Sequence, residues 1–301
     1  MSGRAVSREP GAVQPVHVSC ARPSAFGPRP RSAFSLIEVM LVVALLSLIV
    51  IALMGVFSST QRAFRASITQ TDVLEGGRAA MDLMTGDMRE MRVSAGYSNS
   101  VPGAPVNFFI AVPSGYSPLV QSLVASSATR TNILEKVFIL SRENLTWTGT
   151  GYVVDTNSTS AINPLYRFTI STNVAVNPAV LFNIFNTNSI INMSRLVDGV
   201  VHLRVRAYDT NGMWMNSAYT NASNFDPFTP VYGETGFYMF SNTLPASVEV
   251  ELGVLEDRTL QRAESRPAGL LRDNYLREQA GQVHLFRQRV TIPNVDPAAY
   301  R

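Results

Sequence analysis

Residues 34–57 read FSLIEVMLVVALLSLIVIALMGVF, and this stretch governs the reading of everything around it. As an α-helix, at about 1.5 Å per residue, it is about 36 Å long, against roughly 30 Å for the hydrocarbon core of a bilayer. Its one ionisable side chain is Glu38. A helix buried in a soluble core is rarely apolar on every face over such a length, so the stretch predicts a membrane span. Arg22, Arg29 and Arg31 stand before it, and Arg62 and Arg65 after it, with Asp72 and Glu75 further on. The positive excess in front predicts a cytoplasmic N-terminus and a body on the other side of the membrane.

Working outward, residues 1–33 hold five arginines and one acid, Glu9. Pro10, Pro15, Pro23, Pro28 and Pro30 exclude a long helix, and the composition predicts a segment without a packed core. The net charge of +3 and pI near 9.2 come from this segment, because the rest of the chain has twenty basic and twenty-one acidic side chains. The basicity therefore gives the body no electrostatic footprint for nucleic acid. The single cysteine, Cys20, has no intramolecular partner and leaves the body without a thiol to mispair in an oxidising compartment.

Residues 58–94 continue in helical register, with no proline between Pro30 and Pro102. Leu74, Met81 and Met88 recur every seven residues, with Met84 and Met91 between them. This stripe predicts the face that packs on the body's sheet. Gly76, Gly77 and Gly86 each weaken the helix by about 1 kcal/mol relative to alanine.

Beyond residue 95, short β-prone runs alternate with Asn, Ser, Thr, Gly and Pro clusters. Strands are predicted at residues 106–112, 133–140, 152–155, 165–170, 201–208, 248–254 and 283–292. Val201, Leu203, Val205 and Ala207 alternate with His202, Arg204, Arg206 and Tyr208, which predicts an antiparallel sheet with one face open to water. Residues 209–245 read as a long loop or insertion, and residues 257–281 as partly helical, broken at Pro267. The class is α+β.

Arg31-Ser32-Ala33 followed by Phe34-Ser35-Leu36-Ile37-Glu38 and an apolar helix resembles the cleavage and methylation motif of type IV prepilins. The resemblance implies a pilin-like fold: a long N-terminal transmembrane and amphipathic helix packed on an antiparallel β-sheet body. It also implies a division into a cytoplasmic leader, 1–33, which is removed; a transmembrane helix, 34–57; its amphipathic continuation, 58–94; and a periplasmic β-rich body, 95–301. A prepilin peptidase would cut after Ala33 and methylate the new amine of Phe34. Glu38 would pair with that amine on a neighbouring subunit. The partners implied are the peptidase, other pilin or pseudopilin subunits and the bacterial inner membrane, followed by a pilus or pseudopilus. Ala33 stands where the family strongly prefers Gly, the leader is long, and no C-terminal disulfide can form.

The strand ending in Tyr208-Asp209-Thr210-Asn211-Gly212, followed later by Leu244-Pro245-Ala246-Ser247-Val248, is similar to the C-terminal half of J-type minor pseudopilins and W-type minor pilins. That and the large body favour a minor subunit. Two alternatives belong beside it: an uncleaved single-span anchor bearing a periplasmic binding domain, and a DNA-uptake minor pilin.

No catalytic motif stands out. His17, His202 and His284 are isolated in sequence, with the latter two assigned to polar strand faces. No Walker loop, H-E-x-x-H, G-x-S-x-G or cysteine–histidine cluster occurs. Asp209-Thr210-Asn211-Gly212 reads as a tight turn rather than a calcium loop. The expectation is a structural subunit, not an enzyme, with no cofactor, metal or nucleic acid.

Overall fold

The computed structural model describes residues 35–94, 104–113, 116, 118–123, 127–155, 162–187, 190–216, 218–219, 224–228 and 236–300. The leader 1–33 and Phe34 lie outside the described residues. The chain divides into two units, Met1–Ser59 and Thr60–Arg301. The first unit is described as helix from Leu36 on. That helix, α1, carries the label Leu36–Arg89.

The second unit is built on a nine-stranded antiparallel sheet. Its strands are β1 (Val106–Ala111), β4 (Lys136–Glu143), β5 (Thr146–Val154), β6 (Asn163–Asn173), β7 (Ser194–Tyr208), β8 (Phe225–Phe228), β9 (Gly236–Phe240), β10 (Ser247–Leu255) and β11 (Val283–Thr291). The order across the sheet is β11-β10-β7-β6-β5-β4-β1-β9-β8, and a separate hairpin joins β2 (Leu119–Ser122) to β3 (Thr129–Asn132). Hairpin pairing dominates: Val137 opposes Tyr152 in β4 and β5, and Gly151 opposes Phe168 in β5 and β6. The chain is thus α+β, with a long N-terminal helix followed by an antiparallel body.

The C-terminal part of α1 covers one face of this sheet. Met81, Met84, Met88 and Met91 are buried with Val200, Leu203, Val250 and Leu252, as the stripe predicts. The stripe begins differently, however: Leu74 is part-exposed and Val73 takes the buried place. Residues 58–72 bury no described side chain, so the packed portion of the helix starts only at Val73. Gly77 is where α1 meets β11, since a Cβ there would stand 2.2 Å from the Phe286 ring. Further along, Asp87 accepts two hydrogen bonds from Arg167, Nε at 2.8 Å and Nη2 at 2.9 Å, and one from the Tyr152 hydroxyl. Residue Met91 then bridges to Ser141 of β4. The helix therefore crosses strands rather than running along one.

The other face, expected to be open to water, is covered in part, while Leu285, Arg287 and Arg289 of β11 remain exposed on it. Over β1, β4, β5 and β6 lies α2 (Ala179–Thr187), whose Leu181, Phe182 and Phe185 pack on Phe109, Phe138 and Phe168. Gly149 and Gly151 make room for it, for a Cβ at Gly151 would stand 2.3 Å from the Phe185 ring. Over β7 and β10 lie the β2–β3 hairpin, α3 (Asp257–Glu264) and α4 (Leu270–Arg277), with Leu119, Leu260, Ala263 and Leu276 closing on Val201 and Leu255. The polar side chains of this face stay there by pairing with one another. Arg206 reaches Glu249 at 3.0 Å and Glu251 at 3.2 Å, and Arg287 reaches Glu249 at 2.8 Å.

Two further corrections concern chain placement. Residues 209–245 are more than a loop, because β8 and β9 within them extend the sheet beyond β1. Phe237 and Met239 of β9 point into the core, a period-two signal hidden among turn residues. Residues 133–135 also leave the expected strand and lie against β7 where β6 has ended. Leu203 N–H donates to Ile133 O at 2.8 Å, Glu135 N–H donates to Leu203 O at 2.9 Å, and the buried Glu135 carboxylate accepts Val205 N–H at 2.5 Å. A side chain here stands in for the missing strand and satisfies a buried amide.

Candidate membrane and assembly site

The N-terminal end of α1 is organised by Ser35. Its hydroxyl accepts the Glu38 backbone N–H at 3.3 Å, and its carbonyl accepts the same group at 3.0 Å. Ser35 is therefore an N-cap and Glu38 the third helical residue, the S-x-x-E spacing of a capping box. That spacing is legible in the sequence and adds a second reason for an acid at Glu38. The helix N-terminus also favours a carboxylate electrostatically, by about 0.3–1 kcal/mol at an exposed site. Glu38 is exposed, and among the described residues its carboxylate makes no ion pair.

Past the cap, Leu36–Arg65 is long and apolar enough to cross a membrane, and no residue of its apolar core is buried in the fold. Leu36, Leu46, Ile51, Met54 and Phe57 are all more than half exposed. The polar atoms within it are turned back on the helix itself. Ser47 Oγ donates to Val43 O at 2.8 Å, and Ser58 Oγ donates to Gly55 O at 2.9 Å. In hydrocarbon an unsatisfied hydroxyl is costly, so this intrahelical bonding suits a span.

The two described histidines stand on different strands. The buried His202 lies on β7, with its Nδ1 accepting Ile133 N–H at 3.1 Å, while His284 lies on β11 opposite Val254. The placement of His202 on a polar face needs correction in one respect, because α3, α4 and the β2–β3 hairpin remove that face from water. Asp209 holds the turn after β7: its Oδ1 accepts Asn211 N–H at 2.9 Å and Met213 N–H at 2.7 Å, and its Oδ2 accepts the Tyr219 hydroxyl at 3.1 Å. Gly212 supplies the positive φ, at 78°. Among the described residues no three His, Cys, Asp or Glu side chains come together as a metal would require.

Of the residues assigned to processing and assembly, Glu38 is placed in the first turn of α1, and Ala33 and Phe34 lie outside the described residues. No curated protein and no solved structure matches the chain. Residues 28–57, which include Ala33, Phe34, Ser35 and Glu38, match the family model of the prokaryotic N-terminal methylation motif, so the chain is type IV prepilin-like in this segment.

Proposed function

We propose that the protein is a minor subunit of a type IV pilus or of a secretion pseudopilus. A prepilin peptidase cuts after Ala33 and methylates the amine of Phe34. The subunit resides in the bacterial inner membrane, N-terminus in the cytoplasm and body in the periplasm, until it joins the filament through α1. The observation that carries this reading is the methylation motif at residues 28–57 running directly into a helix whose apolar surface is unburied by its own body. A neighbouring subunit supplies both the apolar partner and, through its Phe34 amine, the cation for Glu38. Opposite charges in a low-dielectric surrounding attract far more strongly than in water, so the pair sets subunit register.

The J-type or W-type assignment rests on the body. Ser247 pairs with Tyr208, and Ala246 N–H donates to Tyr208 O at 2.8 Å, so the Leu-Pro-x-x-Val segment starts β10 directly beside the aromatic end of β7. The role is structural, without catalysis, cofactor or nucleic acid; of the arginines on β7 and β11, Arg206 and Arg287 are both engaged by Glu249.

Mass spectrometry of the membrane-extracted protein tests the processing step. N-methylated Phe34 at the mature terminus is expected, and an intact Met1 would favour an uncleaved anchor instead. Glu38→Ala tests assembly: membrane insertion is retained and incorporation into filaments falls at least severalfold. Normal incorporation of that variant would sink the pairing.

A further inference from the structure

The nine-stranded sheet ends on β11 at one side and on β8 at the other. The two edges differ. β8 is four residues long and contains Pro227. β11 runs for nine residues without proline or glycine, and its pairing with β10 is unbroken from Thr291 opposite Ser247 to Val283 opposite Leu255. In the same register, Ile292 N–H donates to Ala246 O at 3.0 Å and Glu256 N–H to Gln282 O at 2.9 Å. Hydrogen-bonded pairs alternate in an antiparallel ladder. The even-numbered residues of β11 therefore bond to β10, and the odd-numbered ones turn their N–H and C=O groups outward. Among the described residues, the backbone groups of Leu285, Arg287 and Arg289 meet no partner on that side. A long, regular, unpaired edge is a template for another strand.

Charge says which strand fits. On the face away from α1, cross-strand pairing sets Arg206, Glu249 and Arg289 in one row and Arg204, Glu251 and Arg287 in the next. The two acids of β10 are thus flanked by four arginines, and Arg130 of β3 reaches the same face, 3.6 Å from the place a Cβ on Gly253 would take. Arg287 is shared between Glu249 at 2.8 Å and Glu251 at 3.3 Å. Arg289 is exposed and makes no ion pair among the described residues. It donates to Ser247 Oγ at 2.8 and 3.0 Å and stacks on the Tyr208 ring at 4.0 Å, so it is held in place without an acid. The chain has no acid between Glu278 and Asp296, and residues 256–278 balance, five arginines against five acids, so neither offsets the grid. Each row runs Arg–Glu–Arg and stops on a cation with its outer flank open. The strand that continues the pattern has acids at positions i and i+2, which share one face. A second β11 does not fit, because antiparallel pairing about Gln288 would set Arg287 of one copy against Arg289 of the other.

We propose that β11 is a docking edge for a partner protein: an extended segment with acidic side chains at alternate positions joins the nine-stranded sheet as a further strand, its carboxylates meeting Arg287 and Arg289. The arginines act as a filter, admitting an acidic strand and repelling a basic one. Neither the methylation motif nor membrane insertion takes part.

The test uses the full chain in an uncharged detergent and a fluorescein-labelled peptide, Thr-Val-Glu-Val-Glu-Val-Thr, followed by anisotropy. The same peptide with glutamine or lysine in place of glutamate serves for comparison. Two variants separate the parts of the edge. Leu285→Pro removes one outward N–H and leaves the arginines and the β10 ladder in place. Arg289→Glu reverses the cation that lacks an acid. The acidic peptide should bind the wild-type chain about fivefold or more tightly than the glutamine peptide. That affinity should fall severalfold in each variant, and Arg289→Glu should bind the lysine peptide better than the wild type does. Circular dichroism melts check that both variants fold. Deuterium exchange of the wild-type chain needs neither variant: the acidic peptide should slow exchange within residues 283–291. No slowing there, or equal binding of the acidic and glutamine peptides, would overturn the proposal. Undiminished affinity in folded Leu285→Pro would reduce the attraction to charge alone, the leader's five arginines included, and would overturn the added strand. Self-association of the wild type that Leu285→Pro abolishes would give the edge to a second copy and overturn the acidic partner.

Discussion

His202 shows how one side chain links the layers of the body. Its Nδ1 accepts the Ile133 N–H, which leaves the ring proton on Nε2, 3.6 Å from Glu251 Oε2. Burial pushes the imidazole below its ordinary value of 6.5, with Arg130 and Arg204 adding to that push and Glu251 opposing it. Glu251 is held down at about 2, first by His202 and then by Arg206 and Arg204. Both folded-state values lie below those of the unfolded chain, so the unfolded chain binds more protons and stability falls with acid. The His202 contribution starts to be lost below 6.5, and that of Glu251 between 4.5 and about 2. Urea unfolding of the body should therefore show stability decreasing from about pH 7 to about pH 5. His202→Asn, whose Oδ1 can still accept the Ile133 N–H, should flatten that slope; an unchanged slope would refute the assignment. The alternation along β7 placed His202 on the correct strand face, but nothing local in sequence told that a hairpin would bury it.

At the scale of elements, α1 contains glycines of opposite meaning. Gly86 has no atom within 4 Å of the position of an added Cβ, so Gly86→Ala gains helix propensity alone and should stabilise the body by about 1 kcal/mol. Gly77→Ala gains the same propensity but drives a Cβ to 2.2 Å from the Phe286 ring. Overpacking of that kind costs about 1–3 kcal/mol, so the net effect is destabilising. Thermal melts of the two variants should move in opposite directions, and a stabilised Gly77→Ala would contradict the close crossing of α1 over β11. From sequence, both glycines were legible only as weak points in a helix. The methionine stripe was legible as a packing face because its period is a property of the helix itself, whereas the need for Gly77 depends on a residue more than two hundred positions away.

At the scale of the molecule, the second unit carries its own core, and among the described side chains α1 contributes nothing buried to it before Val73. A fragment beginning at Thr60 should be monomeric without detergent and unfold in one cooperative transition by circular dichroism. The full chain should need detergent or lipid. Aggregation of the fragment would show that the apolar stretch supports the body as well as anchoring it. The candidate site was the most readable part of the chain, because a span and its acid are local facts: Phe34–Phe57 and Glu38 can be recognised without knowing what packs where. The body was read in outline through β7, β10 and β11, whose alternation survives because one face of each meets the α1 side of the core.

The sequence by itself determined the unbroken apolar helix, the lone acid at its start and the period-two strands, since each follows from hydrophobic spacing along a few residues. Only the tertiary structure decided that most of the second sheet face is covered, that β8 and β9 extend the far edge, and that the Glu135 carboxylate fills a gap left by β6. Those outcomes depend on which distant segment arrives opposite each residue. A charged or glycine-rich strand face looks solvated until Arg206 finds Glu249 and Gly151 receives Phe185.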